Sequence, residues 1–277
     1  MTEILTELSP SSLATAVKSN LYAFFSTLRY SAKATVHDTS HGFGWRTGVS
    51  HPWFNGMLST LTSTEYLSLI VEETVSYFQA HDITSFTWWL APNLEATTWS
   101  PHLLAYGFQY DNNTPGMAIE LAKLRHPQIS PMTIRHVEGP RVLTEWTQTF
   151  IQGFEMAAEM AHGFLALLES LGTDFPFRHY LGYLDGKPVA SSTLFLGAGV
   201  AGIYNVATVP AARGRGIGSE MTLAPLYEAR DLGYRVGVLQ SSDMGYGVYR
   251  RLGFQQVCQM DHFYWRAPNS LSKGRFN

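Results

Sequence analysis

The stretch VPAARGRGIGSEM, Val209 to Met221, interleaves glycines and arginines as Arg213-Gly214-Arg215-Gly216-Ile217-Gly218 and then Ser219. Glycines let successive backbone N–H groups turn toward one point and approach an anion closely. Helical periodicity begins at Ser219, and a helix N-terminus adds unpaired N–H groups and a positive dipole end. Arg213 and Arg215 can add charge-assisted hydrogen bonds, about 1.5–3 kcal/mol each where partly shielded from water. The chemistry such a run supports is the holding of a diphosphate.

Three kinds of phosphate loop compete for this pattern. A P-loop closes on Gly-Lys-Ser/Thr, and Ile217-Gly218-Ser219 carries no lysine. A dinucleotide fingerprint reads G-x-G-x-x-G with an acid further on. Here the glycines run G-x-G-x-G, and the next strand ends in Leu239-Gln240 with no acid. R-x-x-G-x-G is met in full by Arg213, Gly216 and Gly218.

The elements that must position this loop are legible around it. AGIYNVATVP reads as a strand stopped by Pro210. Ser219 to Leu232 reads as a helix with Gly233 as its stop. RVGVLQS is a buried strand, Gly245 to Leu252 a short helix, and Phe254 to Trp265 a closing strand. Upstream, MTIRHV alternates like a strand, and Arg141 to Gly153 has helical spacing. Glu155 to Leu171 reads as a further helix, weakened at Gly163. HYLGYLDGKPVASSTLFL predicts two strands joined by Asp185-Gly186. The first half is less regular: a helix over Thr64 to Gln79, a strand at SFTWWLAP, a helix over Ser100 to Tyr106 and a strand over Met117 to Leu121. The proline-bearing seam RHPQISPM suggests a boundary near residue 130, hence domains 1–129 and 130–277. Two Gly-Phe-Gln triplets, at Gly107 and Gly253, each close a helix and enter a strand, which suggests an internal repeat.

With these pieces in order, the second half resembles the GCN5-related N-acetyltransferase family. VATVPAARGRGIGSEM, RVGVLQS and GVYRRLGF reproduce its strand, Pro, R-x-x-G-x-G, helix, strand, then Tyr ahead of Gly-Phe. The resemblance spans Met132 to Trp265. It implies a mixed, mostly antiparallel α/β sheet flanked by helices and splayed at the motif strand, with acetyl-CoA as co-substrate and no metal. The first half is then expected to be a degenerate second copy that lacks a glycine loop.

The resemblance also implies roles. The amides of Gly214 through Ser219 would hold the CoA diphosphate, while Val206, Ala207 and Thr208 would pair with the pantetheine arm. The N–H of Val206 would face the thioester oxygen. Tyr249 would protonate the departing thiolate. Ser242 stands where the family often has an Asn contacting the pantetheine. No acid stands on the motif strand as a base. Glu155 and Glu159, four apart on a predicted helix, could face an amine together, and Tyr204 and Asn205 could line the cleft. The expected reaction is transfer of acetyl from acetyl-CoA to a primary amine by direct attack. An acyl-CoA sensor without turnover is the alternative.

The bulk numbers narrow the rest. The chain has 277 residues, is 45% hydrophobic and 15% charged, and carries a formal net charge of −3. A dedicated nucleic-acid binder would carry a strong basic excess. Cys258 is the one cysteine, which excludes an internal disulfide and suits a reducing compartment. The opening MTEILTELSP carries acid where a signal peptide carries base, and the nearly apolar run Leu194 to Ala207 is too short to span a bilayer. The expectation is a cytoplasmic protein without membrane or nucleic-acid partners. His37 and His41 lie four apart in a segment that does not look helical, so no metal site is expected there.

Overall fold

The computed structural model describes residues 3–60, 65–90, 94–124, 132–173 and 176–268. The seam at 125–131 lies outside the described residues, as do Thr64, Ala91 and Pro92. In chain order the elements are α1 (Pro10–Ser26), β1 (Ala34–Thr39), β2 (Gly42–Thr47), β3 (Gly56–Ser59), α2 (Leu67–Ala80) and β4 (Ser85–Leu90). There follow α3 (Ala96–Ala105), β5 (Gln109–Glu120), β6 (Thr133–His136), α4 (Gly139–Gly153), α5 (Met160–Leu171) and β7 (Phe177–Leu184). The chain closes with β8 (Lys187–Gly197), β9 (Val200–Thr208), α6 (Ile217–Asp231), β10 (Val236–Gln240), α7 (Asp243–Leu252) and β11 (Gln255–Arg266). The architecture is a mixed, mostly antiparallel α/β arrangement flanked by helices.

Local chemistry sets the boundaries. Ser9 caps α1 by accepting from the N–H of Ser12, with Pro10 in the first turn. The β7–β8 hairpin turns on Asp185 and Gly186 at φ 52° and 74°, the left-handed pair that a two-residue turn demands. The two Gly-Phe-Gln triplets adopt one geometry. Gly107 and Gly253 stand at φ 82° and 104°. In each, the Gly N–H bonds the carbonyl three residues back, and the Phe N–H bonds the carbonyl five back, at Leu103 and Tyr249 respectively.

The chain forms two compact units, and they do not follow a single cut at residue 130. The larger joins Met1–Ser31 to Pro115–Cys258; the smaller joins Ala32–Thr114 to the chain from Gln259 onward. The first helix thus folds with the second half. Buried Asn20 of α1 donates to the Gly197 carbonyl (2.8 Å) and accepts from the Tyr204 hydroxyl (2.7 Å). A Cβ at Gly202 would overlap Asn20 Oδ1, so a glycine there admits the helix.

In the larger unit the strand order is β5-β10-β9-β8-β7-β6; in the smaller it is β1-β2-β3-β4-β11. Each holds a parallel pair whose strands are joined by a helix: β9–α6–β10 in the larger, β3–α2–β4 in the smaller. Each pair is followed by a short helix, a Gly-Phe-Gln closure and a long strand.

Helices cover both faces of the larger unit's sheet. His179 of β7 meets Trp146 of α4 (ring centroids 4.8 Å apart), while its neighbour Tyr180 bonds Glu228 of α6 (2.6 Å), so α4 and α6 lie on opposite faces. On the α6 side Met221 and Leu226 pack with Leu194, Leu196, Ala201 and Leu239. The smaller unit has its own core of Trp88, Trp99, Phe78, Phe86 and Phe263.

Candidate active site

The strand that leads into the glycine loop parts from its neighbour. β9 and β10 pair at Ala201–Gly237 and Gly202–Val238, and β9 then runs on to Thr208 without β10. Its other edge stays on β8 but carries a bulge: Ser191 faces Ala207 and Thr193 faces Tyr204, so Ser192 alone stands opposite Asn205 and Val206. Asn205 sits at φ 54°, a left-handed conformation.

Beyond β9, Pro210–Ala212 make a 3-10 turn and the loop opens. Gly214 and Gly216 stand at φ 76° and 80°, and nothing lies within 4 Å of where their Cβ atoms would be. Gly216 caps α6, and the N–H groups of Ser219 and Glu220 return to its carbonyl (2.9 and 3.3 Å). Ser219 therefore spends its N–H inside the helix, and the donors ahead of it, at Ile217 and Gly218, are those that a helix's first turn leaves without an intrahelical acceptor.

The two arginines part ways. Arg215 is exposed beside the loop. Arg213 turns inward instead: Nη2 donates to the Gly153 carbonyl (2.8 Å), Nε to the Thr208 carbonyl (3.2 Å), and Nη1 pairs with Glu155 (2.7 Å). Arg213 thus ties the end of β9 to the end of α4. Close packing completes the join, since a Cβ at Gly153 would stand 2.7 Å from that of Ala207.

Two expectations fail here. Glu155 and Glu159 do not share a helical face. α4 ends at Gly153, Glu155 turns at φ 55°, and Glu159 is the N-cap of α5. Tyr204, expected to line the cleft, is taken up by packing: its hydroxyl bonds Asn20, and its ring stacks on Phe24 with centroids 4.1 Å apart. Burial pushes its phenol well above the usual range.

Tyr249 lies on α7 with its ring over Gly245 and edge-on to Phe254. Burial pushes its phenol up to about 12. Thr222 beside it works the other way, but the Thr222 hydroxyl already donates to the Gly218 carbonyl (2.8 Å), so burial governs. Tyr249 therefore holds its proton across the neutral range, the form a general acid needs, and is a weaker acid than a free phenol. Ser242 caps α7, its Oγ accepting from the N–H of Gly245 (3.2 Å); the hydroxyl proton is the group it can offer a ligand.

Among the described residues no group of His, Cys, Asp or Glu is arranged to hold a metal ion, and no described helix is long and apolar enough to cross a membrane. Sequence reasoning passed over Ser191, Thr193 and His179, which meet at the bulge. The signal available was the polar run Ser191-Ser192-Thr193 inside an otherwise apolar strand.

Residues 142–254 match the Acetyltransferase (GNAT) family. Solved structures share the fold across nearly the whole chain. One is a GCN5-related N-acetyltransferase from Kribbella flavida (TM-score 0.70, 17% identity, covering 92% of this chain and 97% of that one). Another is a GCN5-related N-acetyltransferase from Sphaerobacter thermophilus (0.59, 15%, 94% and 94%). A third is a tandem GNAT protein from the clavulanic acid biosynthesis pathway (0.57, 11%, 88% and 87%). No curated protein matches this chain.

Proposed function

We propose that the larger unit transfers acetyl from acetyl-CoA to a primary amine of a small-molecule acceptor, and that the smaller unit is a copy of the same fold without a CoA site. One observation carries the reading. The parallel pair β9/β10 opens beyond Gly202, and the strand freed there leads straight into an open left-handed glycine loop at a helix N-terminus. That is a groove for an extended arm ending at an anion cradle.

Each residue then has a task. The amides of the Gly214–Gly218 loop and Arg215 hold the diphosphate. Val206, Ala207 and Thr208 offer main-chain groups to the pantetheine arm, and the N–H of Val206 meets the thioester oxygen. The amine nitrogen attacks the thioester carbonyl carbon, and the oxygen gathers charge opposite that N–H. The C–S bond then breaks, Tyr249 gives its proton to the sulfur, and the proton lost from nitrogen restores the phenol through water. The products are an amide and free CoA thiol.

The test is release of CoA thiol from acetyl-CoA over an amine library. Acceptor-dependent release is expected. Silence with every amine, together with tight CoA binding, would favour a sensor that binds acyl-CoA without turnover.

A further inference from the structure

We infer that Ser191 and Thr193 of β8 are positioning residues for acyl transfer, setting the Asn205–Val206 peptide so that its N–H is aimed at the thioester oxygen. The inference rests on the reading of that N–H as the oxyanion donor.

The bulge is built rather than tolerated. Ser191 and Thr193 are fully buried, two apart on β8 and so on one face of the sheet. A buried hydroxyl costs stability unless it is hydrogen-bonded. Both of these are spent on one residue of the neighbouring strand. Ser191 Oγ donates to the Asn205 carbonyl (3.0 Å), and Asn205 Nδ2 donates to Thr193 Oγ1 (3.2 Å). On the same strand, the indole N–H of Trp146 donates to the carbonyl of Ser192, the residue opposite the bulge (3.2 Å).

Peptide planarity turns these bonds into aim. The Asn205 carbonyl and the Val206 N–H belong to one trans peptide and point in opposite directions. A carbonyl held by Ser191 leaves the N–H directed away from Ser191. The identity of residue 205 fits the same task. A φ of 54° costs an ordinary residue, and glycine would adopt it freely. Asparagine is among the residues most tolerant of this conformation, and it alone of the two brings an amide to bond Thr193.

Thr193 is itself held. Its oxygen accepts from Asn205, and its hydroxyl proton is free to go to His179 Nδ1, 2.8 Å away. The His179 ring packs among the rings of Trp146 and Phe177, and burial drives its pKa down to about 4, so it stays a neutral partner. The path from His179 through Thr193 to Asn205 contains no group that changes charge near neutrality.

The test uses the full chain and the dethia ketone analogue of acetyl-CoA, with CH2 in place of sulfur and a 13C-labelled carbonyl. Infrared difference spectra read the hydrogen bond on that carbonyl directly. Ser191→Ala and Thr193→Val should each raise its frequency relative to wild type, while Thr193→Ser keeps the wild-type value. Affinity for the analogue should stay within about twofold throughout. With an amine that supports turnover, kcat should fall about tenfold in the first two variants at unchanged KM for acetyl-CoA, and recover in Thr193→Ser. Wild-type frequencies in both Ser191→Ala and Thr193→Val would overturn the inference and leave the acyl-CoA reading standing. So would a Thr193→Ser variant that behaves like Thr193→Val, because packing rather than the hydroxyl would then be responsible. A wild-type chain that does not bind the analogue would sink the acyl-CoA reading and this inference with it.

Discussion

The two parallel strand pairs differ in one decisive respect. In the smaller unit β3 and β4 stay paired from Gly56–Thr87 to Ser59–Leu90, the last residues of both strands. In the larger unit β9 and β10 share two paired positions and then part. The sequences that follow diverge in the same sense. The segment after β9 holds Gly214, Gly216 and Gly218, whereas Thr60 to Tyr66, between β3 and α2, has neither glycine nor arginine. At the helix that closes each unit, the carbonyl bonded by the Phe N–H belongs to Tyr249 in one and to fully buried Leu103 in the other. The two units thus share an order of elements and differ in three places: the pair β9/β10 parts, the segment after it carries glycines, and the closing helix carries Tyr249 where the other carries Leu103. On the reading proposed above, the shared elements supply the scaffold and the three local departures supply the chemistry.

Several perturbations would break or sharpen that contrast. Acid should act unequally and most strongly. Burial drives His51 and His262 of the smaller unit, and His179 of the larger, down to about 4 from the ordinary 6.5. The unfolded chain therefore binds the extra protons between those values, so stability present above pH 6.5 is lost as pH falls and levels off below about 4. Each histidine is worth on the order of 3 kcal/mol over that range. The smaller unit, with two of them, should melt first, and tryptophan fluorescence reads it because six of the seven tryptophans lie there. A larger unit that loses structure first would contradict the assignment.

The loop comes next. Gly214→Val with Gly216→Val forces branched residues into left-handed conformations at about 1–3 kcal/mol each and should weaken CoA binding about 100-fold or more. Glu65→Ala, in the corresponding segment of the smaller unit, should leave it unchanged. Equal losses would mean that the smaller unit also takes part in binding. Tyr249→Phe should lower turnover about 100-fold with CoA affinity preserved, as expected of a general acid; unchanged turnover would remove Tyr249 from the chemistry. Asn20→Ala leaves the Tyr204 hydroxyl and the Gly197 carbonyl without their partner and should cost about 2 kcal/mol of stability in the larger unit. A melting temperature equal to wild type would show that α1 is dispensable there. The smallest effect is expected from Glu155→Gln, which loses an ion pair to Arg213 whose carboxylate side is well exposed, below about 1 kcal/mol.

The second half was legible because its signals are local. The glycine spacing, the Asp185-Gly186 turn and the Gly253 closure each act through the conformation of a few adjacent residues. What stayed hidden depends on partners far along the chain. The insertion of α1 rests on Asn20 meeting Tyr204, 184 positions away, and neither residue announces the other. The same contact explains why Tyr204 is not free for the cleft. The hairpin of β1 and β2 was obscured by Gly42 and Gly44, which weaken a strand reading. The gap between α4 and α5 is longer than the helical spacing indicates: Glu155 turns at φ 55° and α5 starts only at Met160, and no proline or second glycine marks the residues between. Asn205 is a polar strand residue in the sequence; its left-handed turn and its bonds to β8 exist only once the register is set.

The claim that one unit was opened for acyl-CoA and the other closed has a direct measure, the stoichiometry of CoA binding by calorimetric titration of the full chain. The account predicts a single CoA per chain, lost when Gly214 and Gly216 become valine. Two CoA molecules per chain, or a single one that survives those substitutions, would contradict it.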